Sequence, residues 1–509
     1  MPGFVKRRGA SVKLKPTRRD GGRTQPTDRR QRLAEAERPP KLLFVTSEMS
    51  DFVKAGGLGE VSASLPRALR QTNDIRVLIP GYREVMHGRD IVEVAHIPAA
   101  AGLPSCALGR IDMADGLVVY VLLCPDLYDR DGTPYVDASG RDWADNDIRF
   151  ARLGLAAAEI ARGLPELGWT PDLLHLNDWQ ASLAAAYLSW CGDRTPSVLT
   201  IHNLAYQGVF DRERLPSLNI PEHAFHMHGV EFHGRMSFLK AGIFYSSHVT
   251  TVSETYAKEI TLPEFGCGLH GLLQTRARRG ELTGIINGVD DSWDSMRDPA
   301  LAARFSARDL RGREANTSEA RAAFGLSASR GPLFAIISRL VHQKGIDLAI
   351  QAAEDIVSQG GQVAVTGRGE PSLEAAVSAL AERHPGQVGA QIGFEEGRAR
   401  CLYAGSDFLL MPSRFEPCGL SQMYAQRYGS LPVAYRTGGL NDTIEDNETG
   451  FLFSELSLAG LMDGVSRAMS SFASRSRIAA MRRRAIARPA NWLHSARRYN
   501  AVFDRLLRA

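Results

Sequence analysis

Lys41-Leu-Leu-Phe-Val-Thr-Ser-Glu-Met49 and, four residues further on, Lys54-Ala-Gly-Gly-Leu-Gly-Glu60 decide the architecture. The first is a short apolar run that ends in small polar residues, the pattern of a strand buried on both faces of a parallel sheet. The second is a glycine-rich turn. The stretch it opens, GLGEVSASLPRALRQ, has Val61, Leu65, Ala68 and Leu69 on one helical face, with Pro66 expected to kink it. Strand, tight turn and helix form the unit of a doubly wound sheet, in which ligands sit at the carboxyl ends of the strands.

The same alternation continues outward. Strand-like runs follow at DIRVLIP, GLVVYVLLCPD, PDLLHLND and PSVLTIHN, and ARLGLAAAEIARGL and ASLAAAYLSW are the clearest helices. A second series starts near residue 331 with LFAIISRL, the helix IDLAIQAAEDIVSQG and the strand QVAVTGRG, then FLLMPS, LSQMYAQRYG and LPVAYR. Residues 294–330 are rich in Arg, Ala and Ser and carry no strand pattern, which suits a connecting segment. The expected organisation is α/β: a Rossmann-like domain over residues 41–293, the connection 294–330, a second Rossmann-like domain over 331–485, and a C-terminal stretch 486–509. The cleft between the domains is the expected site.

At 509 residues the chain exceeds the roughly 250–300 at which single cores stop growing. Its net charge of +4 is unevenly spread: residues 1–40 hold 12 Lys/Arg against 4 Asp/Glu, leaving the remainder about −4. That basic arm reads as a disordered, solvated extension rather than a nucleic-acid or membrane contact. It lacks an apolar signal region, and with Ser11 its only serine and no amphipathic stripe it does not resemble a transit peptide. No apolar run approaches the roughly 20 residues that cross a bilayer. Six cysteines without C-x-x-C spacing point to reduced thiols, and a cytoplasmic location is expected.

Several polar groups fall at the predicted strand ends. The Lys54 turn offers backbone N–H groups, a helix N-terminus and a point charge to an anion; Thr437-Gly438-Gly439-Leu440 occupies the equivalent place in the second series. Arg339 and Lys344, in S-R-L-V-H-Q-K-G, could neutralise a departing diphosphate. Glu416, in S-R-F-E-P-C-G-L, could accept hydrogen bonds from sugar hydroxyls, and its alternative role is to cap the following helix. His202 and Asn203, at the end of PSVLTIHN, suit hydroxyl recognition. His223, His226, His228 and His233 have no regular ligand pattern, so no metal site is expected. G-x-S-x-G is absent, and Gly367-Arg-Gly369 lacks the third glycine of a dinucleotide fingerprint.

These stretches together resemble the bacterial glycogen synthases and plant starch synthases over about residues 41–508. The matching segments are SEM followed by KAGGLGEV, then HNLAYQGVF, SFLKAG, INGVDD, SRLVHQKG, SRFEPCGLSQ and RTGGLNDT. The resemblance implies a GT-B fold, no catalytic metal, no cofactor, and transfer of glucose from ADP-glucose to an α-1,4-glucan with retention of configuration. It places the phosphate-binding lysine at Lys54, the leaving-group cations at Arg339 and Lys344, the sugar-contacting carboxylate at Glu416 and the histidine of the reacting centre at His202. The donor's surroundings then include Gly56, Gly57, Asn203, Asn287, Gly367, Cys418, Gly419, Leu420, Tyr424, Thr437, Gly438 and Gly439; Glu48, Glu60 and Asp178 line the acceptor side or the cleft. The segment with Trp492 and Tyr499 resembles the helix that crosses back onto the first domain.

The chain departs from the family pattern at Glu60, where aspartate is common, at Asn177 and Gln180, where histidines are common, and in a shorter loop after Asp446. Tyr424 stands where the wider retaining group has a second glutamate. No carboxylate is placed as a nucleophile, so same-face displacement is the expected mechanism, with His202 and Glu416 acting by position. Two other readings stand beside it: a different GT-B transferase or nucleotide-sugar epimerase, against which SEM and HNLAYQG count, and an inactive glucan-binding relative, which is expected to have lost the Lys54, Arg339, Lys344 and Glu416 set.

Overall fold

The computed structural model describes residues 38–393 and 395–508, so all but the last residues of the basic arm fall outside the described chain. The decisive stretch folds as read. β1 (Lys41–Val45) buries Leu42, Leu43, Phe44 and Val45 completely, and a run of four apolar residues with no polar face can form only the interior of a covered sheet. The helix Gly57–Leu69 follows and continues through Pro66; Leu58, Val61, Leu65 and Leu69 form its buried face.

Around β1 lie β2 (Asp74–Pro80), β3 (Val92–Ile97), β4 (Cys106–Asp112), β5 (Val118–Leu123), β6 (Leu173–Asn177), β7 (Ser197–Ile201), β11 (His248–Thr251) and β12 (Leu282–Gly284). Between β7 and β11 a small antiparallel sheet is made of β8 (Val209–Phe210), β9 (Glu231–Phe232) and β10 (Arg235–Ser237). The large sheet has the order β12-β11-β7-β6-β1-β2-β5-β4-β3. Every neighbouring pair is parallel except β3–β4 and β4–β5. That antiparallel edge escaped the sequence reading because β3 is half solvated and lacks a continuous apolar run.

The second sheet comprises β13 (Leu333–Ile337), β14 (Gln362–Gly367), β15 (Val388–Ile392), β16 (Phe408–Met411), β17 (Leu431–Tyr435) and β18 (Phe451–Phe453). It is parallel throughout, in the order β15-β14-β13-β16-β17-β18. The order in which the chain adds parallel strands switches sides between β1 and β6 in the first sheet and between β13 and β16 in the second. A crevice opens at the carboxyl ends of the strands at such a switch, and the polar motifs of both halves emerge there. Residues 294–330 contain a helix, Gly312–Ala323, and Ala320 and Phe324 share a core with β13 and β16.

The helices Asn146–Arg162, Asp178–Trp190 and Phe238–Tyr245 are almost wholly buried and stack side by side. Their small residues permit this: a Cβ on Gly154 would lie 3.1 Å from the Ala184 backbone nitrogen, and one on Gly242 would lie 2.6 Å from the Ser182 side chain. The final helix, Trp492–Leu507, packs into the core of the first sheet through Trp492, Tyr499 and Phe503. There Tyr499 and Phe503 meet the His175 ring, whose Nε2 hydrogen-bonds Thr200 Oγ1 at 2.7 Å. Burial pushes the His175 imidazole down to about 3, so it is neutral and acts as a core group. Phe503 is fully buried although it lies at the far end of the chain. Phe503→Ala is expected to cost about 3–5 kcal/mol of stability in chemical denaturation; a loss below about 1 kcal/mol would show that the last helix does not form part of the first core.

Candidate active site

The site in the second half is built by a close backbone approach. Beyond β13 the chain makes the 3-10 turn His342–Lys344 and ends it at Gly345, with φ +66°. A Cβ there would lie 2.0 Å from Pro412 O, so only glycine lets the turn press against the end of β16. The approach brings Lys344 Nζ to 2.6 Å from Glu416 Oε2, and Ser413 Oγ donates to the same oxygen at 3.0 Å. The side chains of Lys344 and Glu416 are only 17% and 6% exposed, so the pair is shielded from water. Arg339, just beyond β13, is exposed and has no acidic partner among the described residues. Gly367, at the end of β14, allows the approach of Ser338: a Cβ there would lie 1.9 Å from Ser338 O.

The FEPCGL and RTGGL segments form one packed unit. Gly439 N donates to Glu416 O at 3.0 Å. Added Cβ atoms on Gly438 and Gly439 would strike Glu416 O and Cys418 O at 2.0 and 2.1 Å. In the Thr437 turn, expected from sequence on the donor side, Thr437 Oγ1 and Gly438 N donate to Glu259 Oε1 at 2.9 and 3.0 Å. Cys418 is buried beside Asn287, and burial pushes its thiol up to about 12, so it is inert. Gly419 (φ +71°) and Leu420 lead into the helix Ser421–Arg427, whose Gln422 Nε2 ties back to Cys418 O and Gly419 O at 3.0 and 2.8 Å. Tyr424 lies in the core, stacked on Trp293 with ring centroids 3.8 Å apart.

In the first half, Glu48 follows β1 and is almost wholly buried. Its Oε2 accepts from Ala55 N and Gly56 N at 2.7 and 2.8 Å, and its Oε1 accepts from Tyr135 OH at 2.6 Å. The glycine-rich turn is therefore wrapped around an internal carboxylate. Two of the N–H groups expected to face an incoming anion are committed to Glu48. The first-turn N–H groups from Gly57 onward have no acceptor within their own helix, and the space over Gly57 is open. Lys54 pairs with Glu60 at 2.5 Å on the surface of the same turn.

Asp178 starts the helix after β6 with φ +53°, a left-handed conformation that costs a non-glycine residue about 1–3 kcal/mol. Its carboxylate is held by backbone N–H groups of His202, at 2.7 Å, and Asn203. Burial raises it to about 7, the N–H donors opposing that rise. Asn203 Oδ1 accepts from Ala205 N at 3.1 Å. His202 sits at the open end of β7, partly accessible yet ringed by protein; desolvation pushes its imidazole down to about 3, so the ring is neutral. Among the described residues no group of three His, Cys, Asp or Glu is arranged to hold a metal ion. A cavity of about 500 Å³ lined by Glu314, Arg321 and Asp407 contains none of these residues.

Helix Glu254–Glu259 joins the two sets. Ser253 Oγ donates to Pro417 O at 2.6 Å, and Thr255 bonds Asp442 through N and Oγ1 at 2.9 and 2.5 Å. With Glu259 on Thr437 and Gly438, the segment next to Glu416 is fixed from the first half of the chain. Sequence reasoning missed Ser253, Thr255, Glu259 and Asp442. Ser253-Glu-Thr-Tyr does read as a helix N-cap, but no local pattern reveals partners more than 160 residues away.

Residues 41–275 match the starch synthase catalytic domain family, and residues 319–484 match the glycosyl transferases group 1 family. Glycogen synthase of Pseudomonas putida is 57% identical over 469 residues, which cover 92% of this chain and 90% of that protein. Glycogen synthase 1 of Bradyrhizobium diazoefficiens is 56% identical over 459 residues, covering 90% and 99%. Among solved structures, the catalytic domain of starch synthase IV from Arabidopsis thaliana, bound to ADP and acarbose, superimposes with a TM-score of 0.82 at 29% identity, covering 92% of this chain and all of that one. Sucrose-phosphate synthase from Thermosynechococcus elongatus, at 16% identity and a TM-score of 0.56 over 92% of this chain and 99% of that one, shares the fold alone. Two doubly wound sheets with their polar motifs at the strand ends, together with relatives this similar over nine-tenths of the chain, make it a glycosyltransferase of GT-B fold that belongs to the glycogen and starch synthase family.

Proposed function

We propose that the chain elongates glycogen in the cytoplasm, transferring glucose from ADP-glucose to the non-reducing end of an α-1,4-glucan with retention of configuration. In this reading residues 41–293 form the acceptor side, residues 331–485 bind the donor, and the terminal helix ties the second half back to the first. The observation that carries it is the shielded Lys344–Glu416 pair where the strand order of the second sheet switches, with the exposed Arg339 on the same connection after β13. A diphosphate entering this crevice meets two cations. It competes with Glu416 for Lys344, and the carboxylate so released becomes an acceptor for glucose hydroxyls.

The chemistry then needs no protein nucleophile. The acceptor hydroxyl oxygen bonds to the anomeric carbon on the face from which the diphosphate departs; the bond from that carbon to the phosphate oxygen breaks, and this oxygen takes the hydroxyl proton. Arg339 and Lys344 stabilise the charge that grows on the leaving group, where one well-placed contact is worth about 10²–10³ in rate. Neutral His202 and ionised Glu416 hold the glucosyl ring by hydrogen bonds, a matter of orientation rather than proton exchange. The solved starch synthase IV relative binds ADP and acarbose, which supports a nucleotide-sugar donor and a glucan acceptor for this chain.

Radiolabelled ADP-glucose and UDP-glucose, each offered with glycogen, test the activity: label is expected to enter glycogen from ADP-glucose preferentially, and transfer from neither donor would sink the proposal. The roles of the ion pair separate on ADP, which lacks glucose. Lys344→Ala is expected to lower kcat by about 10²–10³ and weaken ADP binding. Glu416→Ala is expected to lower kcat yet bind ADP as tightly as the wild type or more so, because a carboxylate competing for Lys344 is gone. Calorimetry showing ADP affinity unchanged in Lys344→Ala but badly reduced in Glu416→Ala would reverse the two assignments.

A further inference from the structure

His202 has one ring nitrogen already committed. Its Nε2 lies 3.0 Å from Asn177 Oδ1, while Asn177 Nδ2 donates to Val45 O at 3.0 Å. A backbone carbonyl can only accept, so the NH2 of the amide faces Val45 and its oxygen faces His202. An amide oxygen also only accepts, so the single proton of the neutral ring sits on Nε2. Nδ1 then carries a lone pair and has no hydrogen-bond partner among the described residues. Asn177 is fully buried and is the last residue of β6; Val45 ends β1, and His202 follows β7 directly. Three adjacent strands at the switch point of the first sheet thus each supply one member of a short polar chain.

We propose that Asn177 is a positioning residue that fixes His202 as the Nε2–H tautomer, so that Nδ1 accepts a hydrogen bond from a hydroxyl of the transferred glucosyl unit. The identity of that hydroxyl's owner rests on the transfer reading above; the tautomer does not. The titratable groups that face His202 are His175 on β6, the Asp178 carboxylate bonded to its backbone, Glu48 behind Asp178, and Tyr256, whose hydroxyl accepts from Leu204 N. Burial keeps both imidazoles neutral, with values near 3, while Asp178 titrates near 7.

The tautomer is measurable without substrate. In ¹⁵N-histidine-labelled protein, with the His202 resonances identified by their loss in His202→Gln, Nε2 is expected to be the protonated nitrogen at neutral pH; a proton on Nδ1 overturns the proposal. Asn177→Leu gives the functional counterpart. Without an acceptor on Nε2 the neutral ring is free to carry its proton on Nδ1, which then donates where the wild type accepts. Transfer should fall by roughly tenfold or more, with ADP affinity unchanged, whereas Asn177→Asp, whose carboxylate also accepts from Nε2–H, should keep the tautomer and most of the transfer. A folded Asn177→Leu protein with wild-type transfer, or a folded Asn177→Asp protein as impaired as Asn177→Leu, overturns the assignment; if neither variant folds, the spectrum of the wild type decides. Loss of transfer from every donor sinks the activity reading and leaves the tautomer result standing.

Discussion

Lys344 and Glu416 come within 2.6 Å of each other because Gly345 lets a 3-10 turn press on the backbone after β16. Much of the second half serves that contact. The switch in strand order between β13 and β16 opens the crevice, Ser413 satisfies the same carboxylate oxygen, and the glycines of RTGGL seat FEPCGL from behind. Removing one member of a buried pair leaves the other charged in a poorly solvated place, commonly at about 3–5 kcal/mol. A ligand that offers an anion to Lys344 takes the place of one partner, and hydroxyls on the same ligand can satisfy the Glu416 carboxylate that is released. A sugar nucleotide carries both on one molecule.

The first half repeats the device with different parts. Glu48 fills the inside of the glycine-rich turn as an internal anion, so the turn has its shape before any ligand arrives. Asp178 holds an unfavourable backbone conformation because two N–H groups of the next strand end lock its carboxylate. Preorganisation of this kind suits transfer by positioning, where little covalent chemistry is left to the protein. Helix Glu254–Glu259 transmits the arrangement across the chain, since Ser253 and Glu259 hold the backbone on either side of Glu416 and Gly438.

The local parts of this were legible in the sequence. Apolar runs such as KLLFV and LFAII announced parallel strands, and the placement of Lys54, Arg339, Lys344, Glu416 and His202 beyond them followed from the strand–turn–helix pattern. What was not legible depends on partners distant in the chain. The Thr437 turn carries the composition of an anion site, yet its donors are spent on Glu259, nearly 180 residues earlier. Tyr424 is stacked on Trp293, a partner far back in the chain that no local pattern reveals. The half-exposed strand β3 was invisible for the opposite reason: solvation of one side removes the apolar run that betrays a strand.

A crystal structure of the chain with ADP in the cleft tests this division of labour most directly. Lys344 Nζ is expected to leave Glu416 and lie about 2.7–3 Å from a phosphate oxygen, with Arg339 turned onto the same diphosphate and the Glu416 carboxylate facing the space where the glucosyl ring attaches. A diphosphate bound elsewhere, with Lys344 and Glu416 still paired at 2.6 Å, would contradict the account.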